Sequence, residues 1–185
     1  MTSLLVILAL LVVLGFLVIG TYNALIRDRN EVKSAWSSID VQLKRRYDLI
    51  PNLIETVKGY AGHEKQTLEA VVQARQQAVN FSGGVEQRAQ VENTLTAALR
   101  SLFALAEAYP DLKANQNFLL LQEELANTEN KIGFSRQYYN DAAKRYKNRV
   151  EMFPGNIVAG IFNFQAEPFF ELEAAAERTV PQVKF

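Results

Sequence analysis

The chain has 185 residues, 49% of them hydrophobic, with 20 Lys+Arg balanced by 20 Asp+Glu and no cysteine. That length holds about one domain, and the missing cysteine excludes disulfide frameworks, Cys-based zinc sites and lipid attachment through a thioether or palmitoyl group. A formal net charge of zero provides no global field for a polyanion, so nucleic acid is not an expected partner.

Charge placement is uneven: every charged side chain falls between Arg27 and Lys184, and residues 1–26 carry none. Leu4 to Ile19 reads LLVILALLVVLGFLVI. With the uncharged residues up to Ile26, this stretch is long enough at ~1.5 Å per residue to cross a ~30 Å hydrocarbon core. A core helix apolar on every face would need a larger protein around it than the rest of the chain provides. A cleavable signal peptide would show a basic leading region, a shorter apolar run and a small-x-small triplet. Here no Lys or Arg precedes the run, and Gly20-Thr21-Tyr22 is a poor triplet. Residues 1–26 are therefore expected to form an uncleaved single-pass signal-anchor. Arg27, Arg29, Lys33, Lys44, Arg45 and Arg46 follow it, which places the short N-terminus outside and the bulk of the chain in the cytoplasm.

Residues 27–153 read as a helical bundle. From Leu25 a seven-residue register runs through Val32, Ile39, Arg46, Leu53, Tyr60, Thr67 and Ala74. A second runs through Arg29, Trp36, Leu43, Ile50, Val57, Glu64, Val71 and Ala78. Most of these positions are apolar, at the 3-4 spacing of a coiled-coil seam. The phase is unchanged across Pro51, so the proline is expected to kink one helix rather than separate two. Carried on to Asn80, that helix would be roughly 115 Å long; Gly59-Tyr60-Ala61-Gly62 is the natural place for a turn or sharp bend. A helix from about residue 63 to 80 should end at Phe81-Ser82-Gly83-Gly84, the glycines taking left-handed C-cap angles. The next, over about 85–108, carries the stripe Val91, Leu95, Ala98, Leu99, Leu102, Leu105 and Ala106, and Tyr109-Pro110-Asp111 closes it.

The last long helix, about 117–152, repeats Phe118, Leu125, Ile132, Tyr139, Tyr146 and Phe153 every seven residues, with Leu121, Thr128, Ser135 and Ala142 between them. Large knobs alternating with small or polar residues are a packing pattern. The fold class is all-α: a transmembrane helix continuing into an antiparallel up-and-down four-helix bundle, with a short C-terminal helix and an aromatic tail. Phe153-Pro154-Gly155-Asn156 breaks the long helix, and residues 154–185 form an aromatic-rich segment holding a short element from Ile157 to Phe164. Six of the eleven phenylalanines lie at Phe153 or beyond, among the acids Glu167, Glu171, Glu173 and Glu177. Such a segment must cover apolar surface: its own bundle, a second subunit, a partner or the membrane interface.

Several stretches carry a resemblance. Tyr22-Asn23, Arg29-Asn30, the run from Ala35 through Trp36 and Pro51 to Leu53, and Val57-Lys58-Gly59-Tyr60-Ala61-Gly62-His63-Glu64 resemble the signature of the LemA family. So do Glu129-Asn130-Lys131-Ile132, Arg136-Gln137-Tyr138-Tyr139-Asn140, Phe153-Pro154-Gly155-Asn156 and the closing Pro181-Gln182-Val183-Lys184-Phe185. The match runs in order over nearly the whole chain. It implies a bacterial, single-pass inner-membrane protein with a cytoplasmic up-and-down four-helix bundle, and it implies no settled activity. Some relatives have a lipoprotein-type N-terminus, which the absent cysteine argues against here.

No catalytic constellation is expected, and no cofactor. The only histidine, His63, precedes Glu64, but a zinc-protease helix needs a second histidine where Thr67 stands. Glu64 instead complements a helix dipole. Glu123-Glu124 and Glu171-Glu173 are not set across a cleft as acid/base work requires. Ser37 and Ser38 have no nearby base, and Gly83-Gly84 lacks the setting of a phosphate loop. Of Lys44-Arg45-Arg46, the first two should be exposed, whereas Arg46 falls on the seam. There it is expected to pair with Asp40, Glu64 or an acid of the last helix and fix register. A cationic lipid-binding patch is the alternative, but Lys44 stands about 27 Å of straight helix from Ile26.

These observations favour a membrane-anchored scaffold or adaptor that associates with itself or with membrane-protein partners. Its candidate interaction surface is Trp36, Lys44, Arg45, Phe162, Phe164, Phe169 and Phe170, over a structural polar seam of Arg29, Arg46 and Glu64. The alternative is a bundle that binds a small ligand or lipid head group at polar seam residues, Ser135 and Arg149 included.

Overall fold

The structure, a computed structural model, describes residues 1–171, and all its regular elements among those residues are helices. The closing motif Pro181 to Phe185, with Glu173 and Glu177, lies outside the described residues. The chain divides into two compact units. One combines Met1–Ile39 with Phe134–Phe169; the other holds Asp40–Gly133 with Phe170 and Glu171 among the described residues.

Helix α1 (Thr2–Ala61) is a single element of 60 residues. Its first part has almost no protein around it: from Leu4 to Ile19 the large apolar side chains other than the half-buried Val18 are more than half exposed, while the seam residues Leu25, Val32, Ile39, Leu43, Ile50, Leu53 and Val57 are buried. The same helix is thus apolar outwards at one end and amphipathic beyond. The first part is long and apolar enough to cross a membrane. Pro51 lies inside α1, on its exposed side, and does not interrupt it. Tyr60, on the expected seam, is exposed instead.

In the second unit, α1 turns at residues 62–63 into α2 (Lys65–Val79), followed by α3 (Val85–Ala106), the single-turn α4 (Pro110–Lys113) and the start of α5 (Gln116–Glu151). Cross-links give the directions. Glu124 pairs with Arg45 and Asn115 with Tyr60, so α1 and α5 are antiparallel. Asp40 and Arg46 meet Arg88 and Thr96 in the same order, so α1 and α3 run parallel. With three short connections, this is the up-and-down arrangement. Leu68, Val71, Ala74 and Ala78 of α2 and Leu95, Leu99, Leu102 and Ala106 of α3 complete the core.

The loop chemistry departs from expectation at one point. Among the described residues no glycine has a positive φ. Helix α2 ends on Asn80 in the right-handed region, and Gly84 is extended (φ −68°, ψ 167°), starting α3 rather than capping α2. Gln87 reaches back to the Gly84 N–H at 3.4 Å, which fixes the start of α3 without a left-handed residue. Helix α4 occupies the stretch where Tyr109-Pro110-Asp111 is expected only to close α3. It forms because Pro110 opens it at the position where a missing N–H costs nothing. Asn115 then caps α5, its Oδ1 accepting the Phe118 N–H at 3.0 Å.

In the first unit, Tyr139, Ala142, Ala143 and Tyr146 of α5 are buried, Tyr139 with its ring edge-on to Trp36 of α1, and the chain turns through Phe153-Pro154, a cis peptide bond, into α6 (Gly155–Phe162). Phe153, the last member of the α5 repeat, is 79% exposed because the helix has ended before it. Gly155 is required by close approach: a Cβ there would stand 1.9 Å from the Arg149 carbonyl oxygen. Asn163 ends α6 in the left-handed region (φ 55°), a conformation asparagine tolerates.

Candidate functional site

Among the described residues two charged side chains are almost wholly buried, Arg46 on the α1 seam and Glu92 on α3. Arg46 is 1% exposed, and its guanidinium is met by groups from two other helices. Nη2 donates to Glu92 Oε2 on α3; Nη1 donates to Glu129 Oε2 on α5 at 2.6 Å and to Thr96 Oγ1 at 3.2 Å. The second oxygen of Glu92 accepts the Tyr47 hydroxyl and faces Arg88 Nε at 3.4 Å. Arg88 continues outward to Asp40 at 3.4 Å, donates to the Phe81 carbonyl at 3.1 Å and lies over the Phe81 ring. Charged hydrogen bonds of this kind are what a buried ion needs to offset desolvation.

Burial, and then the adjacent Glu92 carboxylate, pushes the Tyr47 hydroxyl well above the ordinary tyrosine range. It therefore stays protonated and serves as a donor to Glu92. Arg46 Nε has no hydrogen-bond partner among the described residues. A cleft of about 240 Å³ opens beside the cluster, lined by Arg46, Thr96, Arg100, Phe103 and Glu129 among others.

Arg46 is thus on the seam as expected, and its partner on the last long helix is Glu129; Asp40 and Glu64, the other expected partners, do not pair with it. Asp40 is reached through Arg88, and Glu64 accepts the Tyr109 hydroxyl at 2.9 Å, an interaction that raises the Tyr109 pKa. Sequence reasoning missed Glu92. It stands seven residues before Leu99 and three before Leu95, on the buried face of α3, so its spacing carried the signal.

The remaining named residues are placed as follows. Lys44 is exposed, and Arg45 pairs with Glu124 at 2.7 Å with both about half exposed, a geometry worth little. Trp36 packs edge-on against Tyr139, centroids 5.5 Å apart. Arg29 lies over the Phe164 ring at 5.2 Å, and Arg149 Nε donates to Asp28 at 2.5 Å. Ser135 is half-buried. Phe169 lies under Lys147. Phe164 and Phe170 are buried in the chain's own fold and offer no face to a partner, whereas Phe162 is 50% exposed. The reason is local: Phe164 closes on Tyr22, with centroids 5.6 Å apart.

Residues 35–185 match the family model described as LemA family. The chain belongs to the LemA family. It is 31% identical over 148 residues to "Protein LemA" of Metamycoplasma hominis, covering 78% of this chain and 66%, just under two thirds, of that relative's length. More distantly, it is 21% identical over 184 residues to "Magnetosome protein MamQ 2" of Paramagnetospirillum magneticum, covering 86% and 68%. It is also 20% identical over 189 residues to "Magnetosome protein MamQ" of Magnetospirillum gryphiswaldense, covering 88% and 70%. The family match includes the whole Arg46 cluster.

Proposed function

We propose that this LemA-family chain is a membrane-anchored, non-catalytic scaffold or adaptor whose helical part stands in the cytoplasm and associates with copies of itself or with membrane-protein partners. The observation that carries the reading is α1: one uninterrupted helix is wholly apolar and, but for Val18, exposed over Leu4 to Ile19 and then becomes the buried seam of a bundle. A helix with that division suits an anchor that presents a rigid body. The printed names of the relatives are not enzyme names, and the buried charges at Arg46 are engaged with one another, as a structural cluster would be. Exposed apolar residues of the bundle, Val41, Leu119 and Leu120, offer surface for association.

The test is the particle mass of full-length protein in mild detergent or native nanodiscs, with every co-purifying chain identified. A homo-oligomer or a defined heteromer is expected; a lone monomer would sink the reading. Single cysteines introduced at Thr2 and at Arg100, labelled from either side of sealed vesicles, check the orientation. The cleft beside Arg46 favours a second reading, binding of a small ligand or head group at the polar seam. If Arg46→Met keeps the fold and complements a deletion strain, that second reading is refuted.

A further inference from the structure

The charged residues of the first unit end abruptly on both of its long helices. On α1 the first charges are Arg27 and Asp28; on α5 the last are Arg149 and Glu151. Asp28 and Arg149 meet at 2.5 Å, and Arg145 lies 3.9 Å from Glu31, so the two helices share one charged layer. On the anchor side of that layer stands Tyr22, inside the uncharged stretch. The Phe162 ring packs against Tyr22 with centroids 4.8 Å apart, and Thr21 shares a cleft of about 390 Å³ with Met152, Phe153 and Gly155.

From Met152 to Ala166 the chain carries no charge. Within it α6 has two faces. Gly155, Val158 and Ala159 are buried, while Ile157 and Ile161, one turn apart, are 55% and 68% exposed beside Phe162, Met152 and Phe153. In water such a cluster would be an unpartnered apolar patch. Its position supplies the partner: it is held against Tyr22, at the depth where an anchor leaves the bilayer and where aromatic residues collect. Arg145 and Lys147, one or two turns earlier on α5, suit anionic head groups.

We propose that α6 and the preceding turn form a second membrane contact, with Phe153, Ile157, Ile161 and Phe162 seated in the head-group and upper acyl region of the bilayer beside the anchor. The inference rests on the reading of residues 1–26 as a span. A helix presenting one apolar face beside basic residues inserts in this way without crossing.

The absence of native cysteine permits a direct test on the full-length chain, one copy per nanodisc of phosphatidylcholine and phosphatidylglycerol. Single-cysteine variants Ile161→Cys and Phe153→Cys carry an environment-sensitive fluorophore; Leu11→Cys reports the span and Ser37→Cys the aqueous side. Lipids brominated near the head group are expected to quench the labels at 161 and 153 several-fold more than the label at 37. Lipids brominated deep in the chain should quench the label at 11 most. Water-like emission at both 161 and 153, with the label at 11 still quenched, overturns the inference and leaves the span standing. Apolar emission without lipid quenching means that protein covers α6, and also overturns it. Failure of the label at 11 to be quenched overturns both.

Discussion

Arg75 Nε donates a hydrogen bond to the Tyr47 carbonyl at 2.7 Å. Tyr47 lies four residues before Pro51, so its carbonyl is the one that a proline inside α1 deprives of an N–H donor. A side chain from α2 thus replaces the missing backbone bond, which is how α1 continues through Pro51 without a break.

This pairing predicts a specific non-additivity. Arg75→Leu should destabilise the protein by about 1–3 kcal/mol, the cost of an unsatisfied buried acceptor. In a Pro51→Ala background, the restored N–H serves Tyr47, and the same substitution should cost much less. Thermal unfolding of the four proteins in detergent measures the cycle; equal costs in the two backgrounds would refute the relationship.

Glu92 is the centre of the buried cluster, joined to Arg46, Tyr47 and Arg88. Glu92→Leu should lower stability by about 3–5 kcal/mol, because it leaves a guanidinium and a hydroxyl buried with fewer acceptors. Adding Arg46→Met should recover part of that loss. Urea unfolding followed by circular dichroism decides: a double variant as weak as the sum of the singles would show that the two side chains act independently.

Burial, with a smaller contribution from Glu167, holds the Tyr139 hydroxyl at about 12, and it donates to the Pro168 carbonyl at 2.9 Å. Tyr47 is raised in the same direction. A raised folded-state pKa favours the fold fully below the unfolded value, ~10 for tyrosine, and that stability is lost as pH climbs towards the folded value. The melting temperature should therefore hold from neutral pH to roughly pH 9 and fall above ~10. Tyr139→Phe should make the alkaline fall shallower. An unchanged slope would remove Tyr139 from the explanation.

At Gly155 the steric demand comes from backbone rather than from a movable side chain. Gly155→Ala should lower the melting temperature by several degrees, whereas Gly160→Ala, with open space around it, should leave it unchanged or raised. Paired melting curves test this, and equal effects would argue against it.

Much of this architecture was legible because seams are periodic: the α1 and α5 repeats named the buried residues Leu25, Ile39, Leu43, Phe118, Leu125, Ile132 and Tyr146 directly. The break before Gly155 was also visible in the proline and glycine. What stayed hidden depended on contacts distant in sequence. The spacing of Glu92 places it on the buried face of α3, but its partners Arg46 and Tyr47 are more than forty residues away in the chain. Phe164 and Phe170 stand among the candidate interaction residues because composition does not say which faces of a tail turn inward, and both are buried. Gly83 and Gly84 misled because a glycine pair permits a left-handed cap without requiring one.

A seven-residue repeat has a weakness: apolar seams fit nearly as well after sliding by one full period. The Arg46 cluster removes that ambiguity. One period from Glu129 stand Gln122 and Arg136; one period from Glu92 stand Val85 and Leu99; one period from Arg46 itself stand Ile39 and Leu53. Every slipped alignment therefore sets the guanidinium against an amide, an aliphatic side chain or a second cation. Each such error costs about 3–5 kcal/mol, the value of an uncompensated buried charge, a large share of what holds a domain together.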